Sequence, residues 1–214
     1  MMHRGFINRV MAATVALMGF MAVGAVQAQP VAGKDYIELG QPQTSSAPGK
    51  IEVLEFFWYS CPHCHSLEPS FDAWAKKQGP DVVVRRVPVA FNAGMQAQQR
   101  LYYSLEALGK VDELHARVFT AIHTQRQPLT TEKQIKSWIA AQGVDAALFG
   151  KTYQSFGVNT SVSRAKSLMD TYGVKGVPAV AVGGKYLTSP SLAGSNAATL
   201  QVLDFLIEKT RSGN

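Results

Sequence analysis

The feature that most constrains this chain is a pair of cysteines that directly follows a strongly apolar segment. Cys61 and Cys64 enclose Pro62 and His63, and residues 51–59 before them read Ile-Glu-Val-Leu-Glu-Phe-Phe-Trp-Tyr. A run so rich in aromatic and β-branched residues is typical of a central strand that is buried on both faces. Proline favours the first position of a helix, so Pro62 predicts that a helix begins there with Cys61 as its N-cap.

The residues after the cysteines continue an α/β pattern. Apolar residues recur at helical spacing over residues 67–75, and Gly79 suits a helix stop. Residues 81–89 then carry valines at most positions, as a second strand would. The order strand, helix, strand is that of a βαβ unit, which predicts an α/β sheet.

A hairpin and a final helix are predicted near the carboxyl end. Residues 179–182 and 185–188 are short β-branched and apolar runs on either side of two glycines at 183 and 184. Such a pair of glycines predicts a two-residue β-hairpin loop. Ser195 or Asn196 can cap the amphipathic helix that follows.

The middle of the chain, residues 95–172, lacks a strand signal and predicts a series of amphipathic helices. Thr131 and Gln134 have the spacing of a capping box. Asp145 opens a further segment that we expect to run as far as Gly157. The apolar stripes of these segments predict the core faces of a helical subdomain inserted into the α/β domain.

The amino-terminal segment has the layout of a secretory signal peptide. Arg4 and Arg9 supply a positive start, Met11–Val26 is uncharged, and small residues lead up to Ala28. The uncharged stretch is shorter than the ~20 residues that span a bilayer. We therefore expect residues 1–28 to be a signal peptide cleaved after Ala28, in preference to an uncleaved anchor.

The net charge of the chain is compatible with most functions, but its distribution does not indicate nucleic-acid binding. The formal net charge is +6, and its lysines and arginines are scattered without a basic run. A scattered positive charge is typical of a mildly basic, solvated surface. We therefore expect no nucleic-acid partner.

The two cysteines are better suited to redox chemistry than to bracing the fold. An exported chain permits a disulfide, but closing so small a loop stabilises by at most ~2 kcal/mol. As N-cap, Cys61 would face the free N–H groups of His63 and Cys64 at the positive end of the helix dipole. These groups favour the reactive thiolate of Cys61, and a protonated His63 would add to the effect. Stabilising the thiolate favours the reduced form, which makes the pair an oxidant.

Three alternatives remain open from the residues alone. Cys61 to His65 spell Cys-x-x-Cys-His, the attachment pattern of c-type haem, although a buried strand running straight into the motif is not typical of it. The cysteines and a nearby histidine could supply part of a zinc or copper site. His115 and His123 are interpreted as ordinary surface or core residues. A peptide-binding chaperone with an incidental disulfide is the third alternative.

Three segments resemble the DsbA family of periplasmic thiol:disulfide oxidoreductases. They are Leu-Glu-Phe-Phe at 54–57, Cys-Pro-His-Cys at 61–64 and Gly-Val-Pro-Ala at 176–179. The resemblance implies a thioredoxin-like domain formed by residues 29–94 and 173–214. It also implies that residues 95–172 form the inserted all-helical subdomain, and it places the mature chain in the periplasm.

The resemblance also assigns the site. It implies a cis peptide bond between Val177 and Pro178 that lies against the disulfide, whereas from the residues alone Pro178 could simply begin an edge strand. Glu55 matches the family's acidic residue near the site. Its apolar neighbours predict burial and a raised pKa that would allow proton transfer with Cys64, the alternative being a satisfied salt bridge. Cys61 would be the sulfur that a substrate attacks, and His65 has no assigned role.

The resemblance further implies the activity and the partners. Pro62 and His63 between the cysteines are typical of an oxidant that donates its disulfide to reduced exported proteins, with a reductase or isomerase of the same fold as the alternative. A quinone-linked membrane oxidase of the DsbB type would restore the disulfide. We expect no cofactor and no metal, and a monomer.

Overall fold

The computed structural model describes residues 29–213, so the predicted signal peptide and its cleavage site lie outside the described residues. Within that range the chain forms one five-stranded sheet with the strand order β1-β5-β4-β2-β3. The strands are β1 (Ile37–Glu38), β2 (Ile51–Phe57), β3 (Val82–Pro88), β4 (Ala179–Val182) and β5 (Tyr186–Thr188). The first strand is too short to be recognised from its sequence pattern.

Helices cover both faces of this sheet. They are α1 (Pro62–Ala75), α2 (Gln96–Ala107), α3 (Val111–His123), α4 (Glu132–Ala141), α5 (Ala146–Tyr153), α6 (Phe156–Thr171), α7 (Pro190–Ala193) and α8 (Asn196–Arg211), with a 3₁₀ turn at Ala93–Met95. None of the helices within residues 29–213 is long and apolar enough to cross a membrane.

The strand before the cysteines is central, as predicted. β2 pairs in parallel with β3 and antiparallel with β4, and all its residues after Ile51 are buried. The order β2, α1, β3 is the predicted βαβ unit. Because β4 lies beside β2, the chain that precedes β4 is brought to the end of β2 where the cysteines follow.

Two apolar clusters hold the layers together, and alternate residues of the central strands supply them. Val53 and Val180 point into the cluster formed with α1 and α8. Leu54 and Ala181 point into the larger cluster formed with the helices between β3 and β4. This alternation places the helices α2–α6 on one face of the sheet and α1 with α8 on the other.

The prediction of helices across the middle of the chain is confirmed, but one helix boundary was wrong. Thr131 and Gln134 form the predicted capping box at the start of α4. The segment that opens at Asp145 does not continue to Gly157, because α5 ends at Tyr153. The hydroxyl of Ser155 accepts a hydrogen bond from the amide of Val158 and so begins α6, which places Gly157 inside its first turn.

The hairpin between β4 and β5 is one residue longer than predicted. Val182 pairs with Tyr186, so Lys185 belongs to the loop and donates its N–H to the Val182 carbonyl at 3.1 Å. Both glycines have positive φ, which suits their lack of a side chain. A Cβ atom on Gly184 would collide with the carbonyl of Gln43, so the preceding segment packs directly on this turn.

Candidate active site

The cysteine pair begins in a tight turn of residues 58–61 between β2 and α1, the active-site turn. The amide of Cys61 donates to the carbonyl of Trp58 at 3.0 Å, which closes the turn. Cys61 has extended backbone angles (φ −83°, ψ 117°) and is the N-cap of α1, with Pro62 in the first helical position. The prediction that the helix begins at Pro62 is therefore confirmed.

The two sulfurs are thiols in this structure and differ in access. Cys64 is fully buried, whereas 7% of Cys61 is exposed. Pro62 and His63, which lie between them, are both exposed. A protein thiol approaching this site therefore reaches Cys61 before Cys64.

The loop before β4 covers Cys61 from the opposite side. The sulfur of Cys61 lies 3.4 Å from the carbonyl oxygen of Val177, to which the protonated thiol can donate. The peptide bond between Val177 and Pro178 is cis, in agreement with what the family resemblance implies. Pro178 is buried and leads directly into β4, whose Ala179 pairs with Phe56 of β2.

The electrostatic surroundings make the two thiols unequal. The pKa of Cys61 is lowered to about 6, first by a hydrogen bond from the Cys64 thiol, with partial burial opposing the shift. The amides of Cys64 and His63 and the charge of His63 lower this pKa further. Burial, followed by the hydrogen bond and charge of Cys61, raises the pKa of Cys64. At neutral pH the reduced pair is thus a thiolate at Cys61 and a neutral thiol at Cys64.

Glu55 lies buried in β2 and belongs to a cluster of charged groups. Its Oε2 atom lies 3.3 Å from Nε of Arg86 but is not aligned for a hydrogen bond. Arg86 is shared, since it also binds Glu68 at 2.7 Å and Asp72 at 3.2 Å. Burial and, next, the charge of Glu68 raise the pKa of Glu55 to about 8, although Arg86 opposes the shift. The salt bridge of the alternative interpretation is present, but it does not hold Glu55 ionised.

Two histidines of α3, His115 and His123, bind the active-site turn, whereas the sequence predicted ordinary surface or core residues. Nδ1 of His115 lies 2.8 Å from the hydroxyl of Tyr59, and Nε2 of His123 donates to the Tyr59 carbonyl at 2.8 Å. Nε2 of His115 also lies 3.3 Å from Oε2 of Glu68. The spacing of four residues from His115 through Phe119 to His123 indicates that the three rings share one face of a helix. Only the packing of α3 in the structure shows that this face contacts the active-site turn.

His65, which completes the haem-like pattern, is engaged in ring stacking. Its ring lies parallel to that of His123, with centroids 4.5 Å apart, and also stacks on Phe119. Burial and then the charge of His123 lower the pKa of His65. Haem attachment would require this ring to turn towards an iron atom. Across residues 29–213, no group of three or more His, Cys, Asp and Glu is placed to hold a metal ion.

Comparison with known proteins agrees with this geometry. The model of the DSBA-like thioredoxin domain matches residues 52–201. The thiol:disulfide interchange protein DsbA of Bordetella parapertussis is 48% identical over 205 residues, which are 95% of this chain and 97% of that protein. The corresponding protein of Burkholderia cepacia is 43% identical over 202 residues, covering 92% and 95%. The crystal structure of Pseudomonas aeruginosa DsbA aligns with a TM-score of 0.83 at 40% identity, covering 86% of this chain and 96% of that one.

These matches include both halves of the sheet, the helices between them and the turn that carries the cysteines. The expected fold, a thioredoxin-like α/β sheet interrupted by helices, is therefore confirmed. With a matching family model and relatives that are similar over nearly the whole chain, this protein belongs to the DsbA family of thioredoxin-like proteins.

Proposed function

We propose that this chain is a protein thiol:disulfide oxidoreductase that donates a disulfide between Cys61 and Cys64 to reduced exported proteins. The observation that carries the proposal is the inequality of the two thiols. A low pKa at Cys61 stabilises the dithiol form at neutral pH. Whatever stabilises the dithiol form makes the disulfide a stronger oxidant.

The reaction follows from the access of the two sulfurs. A substrate thiolate attacks the Cys61 sulfur, the bond between Cys61 and Cys64 breaks, and its electron pair leaves on Cys64. The result is a mixed disulfide between substrate and Cys61. A second substrate thiolate then attacks the substrate sulfur and releases Cys61 as a thiolate, which its low pKa makes a good leaving group. The substrate loses two electrons, and the cysteine pair gains them.

Cys64 must receive a proton as it leaves, and we assign this step to Glu55. Cys64 is buried and its pKa is raised, so a thiolate there is unstable. Glu55 is close enough that its ionised form would raise the pKa of Cys64. With a pKa of about 8, Glu55 itself carries a proton at neutral pH. Arg86 would stabilise the carboxylate left behind.

Glu55→Gln tests this step, because the amide has the shape of the protonated carboxyl but cannot give up a proton. We expect reduction of the disulfide by a substrate peptide to slow on the order of a hundredfold at neutral pH, a typical contribution of proton transfer. In the unmodified protein the same rate, divided by the fraction of substrate thiol that is ionised, should decline as pH rises through about 8, where Glu55 loses its proton. Stopped-flow measurement of tryptophan fluorescence across pH gives both quantities.

Glu68→Gln is the matched control for that experiment. Its charge raises the pKa of Glu55, so its removal should move the decline in rate to lower pH without removing it. A flat profile in the unmodified protein, or an equal loss of rate in both variants, would refute the role of Glu55.

The direction of disulfide transfer is tested by the redox equilibrium with glutathione. Ionisation of Cys61 alone should favour the dithiol form about tenfold at about pH 7 over a pair with an ordinary thiol. We therefore expect the pair to be half-reduced under conditions more oxidising than those that poise glutathione. Trp58, which lies in the active-site turn, is a fluorescent probe of the ratio. Half-reduction only under strongly reducing conditions would indicate a reductase instead.

The remaining assignments belong to the same proposal. Residues 29–94 with 173–214 form the thioredoxin-like domain, residues 95–172 are the inserted helical subdomain, and the chain acts as a monomer in the periplasm. Reduced substrates would bind beside Val177, where a cavity of about 340 Å³ is lined by residues of the loop before β4 and of β5. A DsbB-type membrane oxidase would reoxidise the pair.

A further inference from the structure

A buried glutamine of the helical region reaches the residue that precedes the reactive cysteine. Gln98 lies in the first turn of α2 and is 1% exposed. Its Oε1 atom accepts a hydrogen bond from the amide of Ser60 at 3.2 Å. Its Nε2 atom lies 2.7 Å from the hydroxyl of Ser60 and donates to the carbonyl of Pro128 at 2.8 Å.

The backbone partners fix the orientation of this amide. Only an oxygen can accept from the N–H of Ser60, and only a nitrogen can donate to the carbonyl of Pro128. Both hydrogens of the amide and its oxygen therefore have partners. A fully satisfied buried amide of this kind is held in one position, and it holds its partners in turn.

Ser60 directly precedes Cys61, the N-cap of α1. The turn that contains Ser60 sets the direction in which the Cys61 sulfur leaves the backbone. That direction decides whether the sulfur lies near the amides of His63 and Cys64, which stabilise its anion. Without Gln98, the amide and hydroxyl of Ser60 would lose their partner, and the turn could relax away from this geometry.

We propose that Gln98 is a positioning residue that fixes the active-site turn through Ser60 and so keeps the Cys61 sulfur beside the first amides of α1. This proposal rests on the proposed function, since it assumes that Cys61 is the attacked sulfur. It gives the inserted helices a part in the redox chemistry, because Gln98 is supplied by α2 and Pro128 by the loop between α3 and α4.

The next residue in the chain provides a matched control. Gln99 is also buried, at 3% exposed, and its Nε2 atom donates to the carbonyl of Pro88 at the end of β3. Gln98→Met and Gln99→Met therefore each remove a buried amide from the same turn of α2. Only the first variant removes a contact with the active-site turn.

The pKa of Cys61 is measured in both reduced variants from the ultraviolet absorbance of the thiolate. We expect Gln98→Met to raise this pKa by about one unit and to move the equilibrium with glutathione about fivefold towards the disulfide at about pH 7. Gln99→Met should change neither quantity, although urea unfolding should show that both variants are destabilised. Equal shifts in the two variants, or no shift in Gln98→Met, would overturn the proposal.

Ser60→Ala is the second variant and covers the case in which Gln98→Met does not fold. It removes the hydroxyl but keeps the amide that donates to Gln98, so we expect a smaller shift of the Cys61 pKa in the same direction. No shift in Ser60→Ala would then count against the proposal. Failure of the unmodified protein to oxidise a reduced substrate would refute the proposed function itself, which these variants do not test.

Discussion

Replacement of Cys61 by serine will reduce disulfide donation to the background rate, whereas replacement of Cys64 by serine will trap substrates as mixed disulfides. Cys61 is the sulfur that a substrate can reach, because Cys64 is fully buried. Without Cys61, no sulfur is available for attack. In the Cys64→Ser variant, Cys61 can still be linked to a substrate sulfur, but no neighbouring thiolate can release it.

Each variant is mixed with a protein carrying an activated thiol and then separated on a non-reducing gel. Cys64→Ser should give an adduct that disappears on reduction, and Cys61→Ser should give none. A variant lacking both cysteines has no thiol and is the control for gel bands that do not arise from a disulfide with this chain. Equal adducts from both single variants would show that the two sulfurs are equally accessible, which contradicts the assignment of roles.

The part of the site that depends on neighbouring residues in the chain could be predicted from the sequence. The apolar run before the cysteines predicted the buried strand β2, and Pro62 predicted the helix start with Cys61 as its N-cap. The structure has both features. Burial of Glu55 also followed from its apolar neighbours, because a carboxylate within a central strand has no route to solvent.

The part that depends on packing between distant segments could not be predicted. His115, His123 and Gln98 contact the active-site turn across 56, 64 and 38 residues of sequence. Their residue types alone are equally compatible with a solvated helix face. The position of Val177 beside Cys61 was available only through the family resemblance, since it requires β4 to lie antiparallel to β2.

Local and distant contacts therefore contribute differently to the difference between the pKa values of Cys61 and Cys64. Both sulfurs lie near the start of one helix, where the backbone amides favour an anion. Tertiary burial counteracts this effect at Cys64, whose pKa is raised, but is not sufficient at Cys61. The spacing of the motif could indicate a reactive pair, but the packing around it determines which sulfur carries the charge.

The low pKa of Cys61 makes the stability of the dithiol form, but not that of the disulfide form, depend on pH. The pKa of Cys61 is lower in the folded protein than in the unfolded chain. The resulting stabilisation is complete above the pKa of an unfolded thiol and is lost as pH falls through about 6. The disulfide form lacks an ionisable thiol. The raised pKa of Glu55 changes stability with pH in the opposite direction. Because Glu55 is present in both forms, its contribution largely cancels in the difference between their stabilities.

The dithiol form should therefore gain about 2 kcal/mol of stability relative to the disulfide form between about pH 5 and about pH 8. This value is below the linkage value of about 2.7 kcal/mol because solvent screens the partly exposed sulfur of Cys61. Closure of the small loop stabilises the disulfide form by at most ~2 kcal/mol. At about pH 8 the stabilisation of the dithiol form by ionisation of Cys61 offsets this amount. Urea unfolding of both forms at several pH values in this range measures the difference in their stability. The Cys61→Ser variant in its reduced form should not gain this stability as pH rises. A difference that stays constant with pH would mean that Cys61 does not ionise below neutrality, and ionisation of Cys61 could not then make the pair an oxidant.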